Sequence, residues 1–407
     1  MMRPDPDGGS MNPASAPRVS LLGKTNLDES FQHSILISAL RTCAALQVLA
    51  THLRGEFYPS LRTVSEPTLW YQALAFLTGF GHLAVVIFFL LSGWLVGGSV
   101  LNKLDQPRLL ASYAIDRVTR LWIVLIPGFI LTLALGTVTG SVDPTRISYA
   151  AGDEYSLTAF LGNLFGLQGM AVPRFGGNYS LWSLANEIWY YALFPLLLLP
   201  FIGKSRFTKA AGPLLAVFIA TQLLADISLY FLIWLLGVGF SRVRIVLSRP
   251  ARLLLIALLV ALAAYLRLSG SIGTLIVATF PEDLLFSLLF LCLLASLQFP
   301  AERSRPGNRI AIALGFLAPF SFTLYVIHYP LLYLIKHLGQ PYGISQLSPT
   351  DPASMLVYGA LFAAVVGFAW LFHLPFEAQT NRLRRFVKRQ LLEPSAKPYP
   401  GAPMRDS

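Results

Sequence analysis

The chain has few charged residues for its length. Of its 407 residues, 13% are Asp, Glu, Lys or Arg and 55% are hydrophobic, and the mean hydropathy is +0.61. A soluble domain carries about 25% charged residues, because its surface faces water. The scarcity of charge therefore excludes a water-soluble globule, a disordered chain and a coiled coil. It favours an all-α, polytopic membrane protein.

Cysteine is also scarce. The two cysteines, Cys43 and Cys292, both lie in apolar runs, so a disulfide scaffold or a zinc site has no support. No group of ligating side chains has metal spacing, and we expect neither a metal nor a bound cofactor. We expect no cleavable signal peptide, since residues 1–33 are rich in Pro, Gly, Ser and Asp before any apolar run begins. The first apolar run should therefore be an uncleaved anchor.

Long uncharged runs alternate with short clusters of Lys and Arg. A spanning helix needs about 20 mostly apolar residues, and on this criterion the sequence predicts about ten spans. Their predicted ranges are 34–53, 82–100, 119–140, 182–202, 211–225, 228–241, 253–268, 283–300, 311–335 and 353–376. The short pair at 211–225 and 228–241 is also compatible with one bent hairpin. Residues 69–81 and 157–171 are apolar as well, and we expect them to be interfacial segments.

Lys and Arg are distributed unevenly between the predicted loops. With the N-terminus inside, 24 of the 31 Lys and Arg residues fall on the inner side and 6 on the outer side, and Arg41 lies within the first span. This bias is typical of positive-inside sorting, and it accounts for the net charge of +11 without a nucleic-acid partner. We expect both termini to be cytoplasmic. The predicted organisation is a disordered N-terminal segment (1–33), a transmembrane domain (34–376) and a basic, partly disordered tail (377–407).

Ionisable groups inside apolar spans are costly, and they are therefore candidate functional residues. In the first span, Arg41 and His52 are eleven residues apart. This spacing places both on one face of a helix, about 16 Å apart along its axis. His82 lies at the start of the second span. The alternative for Arg41 and His52 is that their polar ends simply reach the two membrane interfaces.

Arg117 and Arg120 lie in a basic loop, at i and i+3 of the segment YAIDRVTRLW. This spacing puts both side chains on one face of a helix that enters the membrane from inside. Ordinary topogenic charge explains them equally well. The functional alternative is a cytoplasmic clamp for phosphate groups, to which guanidinium groups are suited.

Two later spans carry further polar side chains. The fourth span opens with NYSLWSLANEIWYYALFP, in which Ser183 and Glu187 are at i and i+4, and a carboxylate there must be paired, hydrated or catalytic. Trp182 and its aromatic neighbours are also typical of an interfacial belt. In the ninth span, Tyr325 and His328 are one turn apart. The predicted topology puts the histidines and Glu187 in the outer half of the membrane and the arginines in the inner half, which suits either a substrate path or a proton pathway.

Five motifs with this polar pattern resemble the acyltransferase 3 family, the integral-membrane O-acyltransferases that modify bacterial polysaccharides and related glycans. Arg41 and His52 match the Arg-x10-His motif of that family, FFLLSGWL (88–95) its FF-x-LSG-x-L segment and DRVTR (116–120) its Arg-x-x-Arg pair. LWSLANEIWYYALFP matches its WSL-x-x-E element, and SFTLYVIHYP matches its final SY-x-LYL-x-H-x-P element. The resemblance extends over about residues 35–376.

Three features depart from the family pattern. His82-Leu83-Ala84 stands where glycines often precede FF, and Pro127 comes seven residues after Arg120 rather than close to the arginine pair. We also expect no appended esterase-like domain, so that transfer would be completed within the membrane domain.

The resemblance implies an O-acyltransferase of the bacterial inner membrane. Its co-substrate would be an acyl-CoA, most often acetyl-CoA, and its acceptor a hydroxyl of a polysaccharide, a lipid-linked saccharide or another glycan. Donor binding falls to Arg41, Arg117 and Arg120. His52 is the candidate general base, because an imidazole suits proton abstraction at neutral pH, and Glu187 would orient the imidazole or the acceptor. The expected acceptor pocket consists of His82, Trp182, Ser183, Tyr325 and His328.

The residues alone leave two other classes open. A proton-coupled secondary transporter or flippase would also place His, Glu and Arg along a membrane axis, although the sequence has no visible pair of broken helices. A non-catalytic scaffold would leave Arg41, His52 and Glu187 without a purpose. For the enzyme, direct attack on the thioester and a transient acyl-His52 both remain open.

Overall fold

The computed structural model describes residues 18–25, 32–270, 277–298 and 318–392, and it is mostly helical (75%). In chain order the α-helices are α1 (Gln32–Phe57), α2 (Leu69–Leu77), α3 (Gly81–Ser92), α4 (Gly98–Leu101), α5 (Leu109–Val138), α6 (Leu157–Leu164), α7 (Leu181–Ile202), α8 (Arg206–Gln222), α9 (Ala225–Phe240), α10 (Arg249–Ser269), α11 (Phe280–Ser296), α12 (Ser321–Gly339), α13 (Ala353–His373) and α14 (Thr380–Leu392). A π-helical segment, Gly93–Gly97, joins α3 to α4.

Each predicted span overlaps at least one of these helices, but the helices are not equally suited to cross a membrane. Among the described residues, seven helical segments are long and apolar enough to do so, and they contain α1, α3, α5, α7, α10, α11 and α13. The predicted helical architecture is thereby confirmed. The count of about ten spans and the cytoplasmic position of both termini stay predictions. Residues 299–300 and 311–317 of the predicted spans, and residues 1–17, 26–31 and 393–407 of the predicted tails, lie outside the described residues.

Helix boundaries near residues 205–225 follow from local capping. Ser205 and Thr208 form a reciprocal capping box, which satisfies two free backbone N–H groups at a helix start. Helix α8 therefore begins at Arg206, earlier than predicted, and only Leu223 and Leu224 separate it from α9. The apolar segments 69–81 and 157–171 contain α2 and α6, which have nine and eight residues and are too short to cross a bilayer on their own.

Two short strands, which the sequence analysis does not predict, pair near the N-terminus. β1 (Arg18–Leu21) and β2 (Val243–Val246) are antiparallel, and β1 lies within the segment expected to be disordered. Thr25 fixes this segment through distant contacts, because its backbone N–H donates to Asn102 Oδ1 at 3.0 Å and its hydroxyl donates to the carbonyl oxygen of Ser241 at 3.0 Å. Four-residue strands held by such distant partners leave no periodic pattern in the sequence.

The end of α3 and the π-helical segment that follows it approach α9 closely at two glycines. A Cβ atom on Gly93 would lie 2.0 Å from the carbonyl oxygen of Trp234, and one on Gly237 would lie 2.2 Å from that of Leu90. Small residues allow such close approach of helix backbones. The π-helical segment begins at this contact, directly after Ser92, and π-helical turns are frequent at functional sites.

Helix α1 lies between two clusters of buried apolar side chains. Ala44 and Val48 belong to one cluster, whereas Leu49 and Leu53 belong to the other. On these two sides α1 packs against α3 and α12. A third face, which carries Arg41 and His52, borders open space and positions the candidate site.

Candidate active site

Two cavities open between the helices around α1. The larger has a volume of about 750 Å³ and the smaller one of about 290 Å³. Val85 and Tyr325 line both, so the cavities adjoin at these two side chains. We call the larger one the arginine cavity, because Arg41, Arg117, Arg120 and Arg384 line it. The smaller one is the histidine cavity, lined by His52 and His82.

Arg120 is held by a carboxylate that the sequence analysis does not single out. Its Nη2 lies 2.7 Å from Oε1 of Glu377, whose side chain is 1% exposed. The second oxygen of Glu377 accepts hydrogen bonds from the backbone N–H and the hydroxyl of Thr323, at 2.8 and 2.6 Å. The charge of Arg120 is therefore balanced within the protein. In the sequence, the only sign of this ion-pair partner is that Glu377 is an acidic residue directly after the last predicted span.

Arg117 and Arg41 have less compensation than Arg120. Among the described residues, no carboxylate forms an ion pair with either guanidinium. Arg117 lies over the rings of Tyr113 and Tyr191, 5.9 and 5.4 Å from their centroids. Both arginines line the arginine cavity, so their charges can attract an anion within it.

Glu187 also lines the arginine cavity. It accepts hydrogen bonds from the hydroxyl of Ser92, at 2.5 Å, and from that of Tyr191. Ser92 in turn accepts a hydrogen bond of 3.2 Å from the indole N–H of Trp234. In the described part of the chain, the hydrogen-bond partners of Glu187 are thus hydroxyl groups, and neither His52 nor His328 is among them. The sequence predicts that the carboxylate of Glu187 is paired, hydrated or catalytic, but it carries no signal for the partner Ser92 on α3.

His52 and His328 form a directional relay. His328 is 1% exposed, and its Nδ1 lies 3.0 Å from the carbonyl oxygen of Leu324 and 2.9 Å from that of Tyr325. Carbonyl oxygens only accept, so this Nδ1 carries the proton and Nε2 has the lone pair. His52 Nδ1 lies 2.8 Å from that Nε2 and must therefore donate to it. The second nitrogen of His52, Nε2, keeps a free lone pair, as a general base requires.

His82 is held by a second set of polar groups. Its Nε2 lies 2.8 Å from both carboxylate oxygens of Asp283, and the hydroxyl of Tyr230 donates to the same carboxylate. Asp283 is 2% exposed. Neither Asp283 nor Tyr230 is among the site residues predicted from the sequence. Asp283 is nevertheless an ionisable residue at the start of a predicted span, which is the criterion applied to the other spans.

Tyr325 lies in the wall between the cavities. Its hydroxyl hydrogen-bonds to the hydroxyl of Ser183 and donates to the carbonyl oxygen of Ser180 at 3.2 Å. Ser183 lines the arginine cavity, whereas its neighbour Trp182 lines the histidine cavity. The start of α7 therefore forms part of both sites.

A family model described as an acyltransferase domain matches residues 35–374, which is most of the chain. The chain belongs to the acyltransferase 3 family. No curated protein and no solved structure matches it. Membership of the acyltransferase 3 family makes this protein an acyltransferase with membrane-spanning helices, and it removes the reason for the transporter alternative.

The motifs of the acyltransferase 3 family converge on the two cavities. The Arg-x10-His motif reaches both, with Arg41 in the arginine cavity and His52 in the histidine cavity. The predicted site residues of the arginine cavity are Arg41, Arg117, Arg120, Ser183 and Glu187, and those of the histidine cavity are His52, His82 and Trp182, with Tyr325 in both. His328, expected to contact the acceptor, instead lies behind His52 and is not among the lining residues.

Proposed function

We propose that the protein is an O-acyltransferase of the bacterial inner membrane that moves an acetyl group from cytoplasmic acetyl-CoA to a hydroxyl of a glycan. The acceptor would be a polysaccharide, a lipid-linked saccharide or another glycan. One observation carries the proposal: a cationic cavity adjoins a second cavity that contains an imidazole with a free lone pair.

The arginine cavity suits the donor. CoA is anionic through its phosphates, and guanidinium groups bind phosphate through charge-assisted hydrogen bonds. Four arginines line this cavity against two carboxylates, Glu187 and Glu377, which leaves an excess of positive charge. The predicted topology, which follows the positive-inside rule, puts the same arginines toward the cytoplasmic side, where CoA is available.

The histidine cavity suits a sugar acceptor. Its polar lining includes Asn186, Arg174 and Asp226, and its aromatic lining includes Tyr179 and Trp182. Such a lining offers hydrogen bonds to hydroxyl groups and flat apolar surfaces to a sugar ring. The predicted topology puts this cavity toward the outer side of the membrane.

The proposed reaction takes place where the cavities adjoin. The oxygen of the acceptor hydroxyl forms a bond to the thioester carbonyl carbon while His52 Nε2 takes the hydroxyl proton. The C–S bond then breaks, and the sulfur of CoA leaves with that proton, which gives an ester and free CoA. Because His328 Nε2 accepts a hydrogen bond, it also stabilises the imidazolium of His52 that forms between these steps. A transient acyl-His52 would give the same products through two successive transfers.

The experiment compares His52→Ala with His337→Ala in phosphatidylcholine nanodiscs. His337 is an exposed histidine on α12 and serves as the matched control. With acetyl-CoA and a glycan fraction from the host, we expect glycan-dependent release of free CoA thiol from the wild type and from His337→Ala, and none from His52→Ala. Mass spectrometry of the glycan should show the matching acetyl increment. Wild-type thiol release by His52→Ala would contradict the proposal.

A further inference from the structure

The arginine cavity is completed by residues beyond the matched domain, which ends at residue 374. Five residues of the following stretch line the cavity: Glu377, Ala378, Thr380, Asn381 and Arg384. Helix α14 supplies the last three and packs against α5, the helix that carries Arg117 and Arg120. The charge at this end of the cavity therefore depends on two segments that are distant in sequence.

The ion pair between Arg120 and Glu377 neutralises one of the four arginines of the arginine cavity. Arg120 and Glu377 are 2.7 Å apart, and the carboxylate is buried and anchored to Thr323. Glu377 neutralises the charge of Arg120, so a phosphate at this arginine would also meet the like charge of the carboxylate. Of the two arginines on α5, Arg117 is therefore the one whose charge is left to attract a ligand.

Arg384 adds a second guanidinium group to the cavity, where the charge of Arg120 is neutralised by Glu377. Arg384 Nε lies 3.2 Å from Asp116 Oδ1, and Lys388 Nζ lies 2.7 Å from the same oxygen. One carboxylate thus compensates two cations. Besides burial, the positive charges of Arg117 and Arg120 lower the pKa of Arg384, and the charge of Asp116 raises it. Asp116 neutralises only one of its two cations, and no carboxylate of the described residues pairs with Arg117, so this end of the cavity carries a net positive charge.

We infer that α14 supplies the phosphate-binding side of the donor site, where Arg384 and Arg117 together hold the phosphates of the CoA donor. The inference rests on the proposed acyl-CoA function. Asp116 keeps Arg384 beside α5, and the phosphates relieve the repulsion between the two guanidinium groups by accepting a charge-assisted hydrogen bond from each. Arg120 then stabilises the fold through Glu377 rather than binding the donor.

Lipid phosphates are another source of the same chemistry, and α14 offers a matched pair of arginines to separate the two. Arg385 is exposed, next to Phe386, which is 60% exposed, and it does not line the cavity. Its surroundings suit the headgroup region of a membrane. Arg384 has the same chemistry and adjoins it in sequence, but faces the cavity.

The test measures the binding of CoA and of phosphate-free pantetheine by calorimetry, with the purified full chain in phosphatidylcholine nanodiscs. Arg384→Gln should raise the Kd for CoA by about tenfold or more, the loss expected for one hydrogen bond to a charged group. Pantetheine binding should be unchanged, which also shows that the variant is folded. Arg385→Gln should bind CoA as the wild type does. A repeat in nanodiscs with anionic phosphatidylglycerol should leave this contrast intact.

Three results overturn the inference: an unchanged Kd for CoA in Arg384→Gln, an equal loss in both variants, or a loss seen only with anionic lipid. If Arg384→Gln does not fold, Arg384→Met decides, because methionine keeps a long apolar side chain but has neither a charge nor an N–H group to offer a phosphate. A wild-type Kd for CoA in that variant also overturns the inference. If the wild type binds CoA but transfers no acetyl group, the proposed function fails while the binding site stands.

Discussion

Replacing His328 by leucine removes the hydrogen-bond acceptor behind the candidate base. His328 Nε2 accepts from His52 Nδ1 at 2.8 Å, and its own Nδ1 is fixed by two backbone carbonyl oxygens. Leucine has a similar volume and no acceptor. His52 then loses the partner that sets its tautomer, and the imidazolium formed during transfer loses its stabilising contact.

The size of the effect follows from this one contact. A hydrogen bond donated by a charged group contributes about 1.5–3 kcal/mol. If that contribution is realised in the transition state, its loss lowers kcat by about 10- to 100-fold. The affinity for CoA should not change, because His328 does not line the arginine cavity.

The assay is CoA thiol release at saturating donor and acceptor, with CoA affinity measured on the same preparation. His328→Gln is the matched variant, since its side-chain oxygen can accept from His52, and it should recover part of the lost kcat. The reasoning is refuted if His328→Leu turns over at the wild-type rate. It is equally refuted if the Leu and Gln variants lose the same activity, because a merely structural role would give that result.

Two further predictions concern the acceptor and the fold. Asp283→Asn should raise the KM for the acceptor by about tenfold, because it weakens the hydrogen bonding that positions His82 by more than about 1 kcal/mol. A rise in the Kd for CoA instead would contradict the assignment of the histidine cavity to the acceptor. Gly93→Ala should destabilise the fold by about 1–3 kcal/mol, since its Cβ would overlap the backbone of α9. Gly239→Ala, with nothing within 4 Å of the new Cβ atom, is the control in thermal denaturation, and equal Tm values for the two variants would contradict the close packing.

The sequence predicts the helices well because apolar runs of membrane length are a local signal. It also predicts Arg41 and His52 as one functional face, since a spacing of eleven residues fixes their relative direction on a helix. The structure places the two in adjoining cavities. Boundaries are less predictable: α8 begins at a capping box of Ser205 and Thr208, which hydropathy does not detect.

The partners of the site residues are what the sequence does not predict. Glu377 pairs with Arg120 across 257 positions, and Asp283 pairs with His82 across 201. Such pairs depend on how helices pack and not on local spacing. The role expected for Glu187, that of orienting an imidazole or the acceptor, depends on the same tertiary information. Its hydrogen-bond partners among the described residues are hydroxyl groups.

The most direct test of the central claim is a structure of the protein with a non-hydrolysable thioether analogue of acetyl-CoA. The account predicts the phosphates in the arginine cavity and the sulfur at the wall formed by Val85 and Tyr325. It also predicts His52 Nε2 on the histidine-cavity side of that wall, within reach of an acceptor oxygen placed about 3–3.5 Å from the acyl carbon. An analogue bound outside the arginine cavity, or His52 turned toward lipid, would contradict the account.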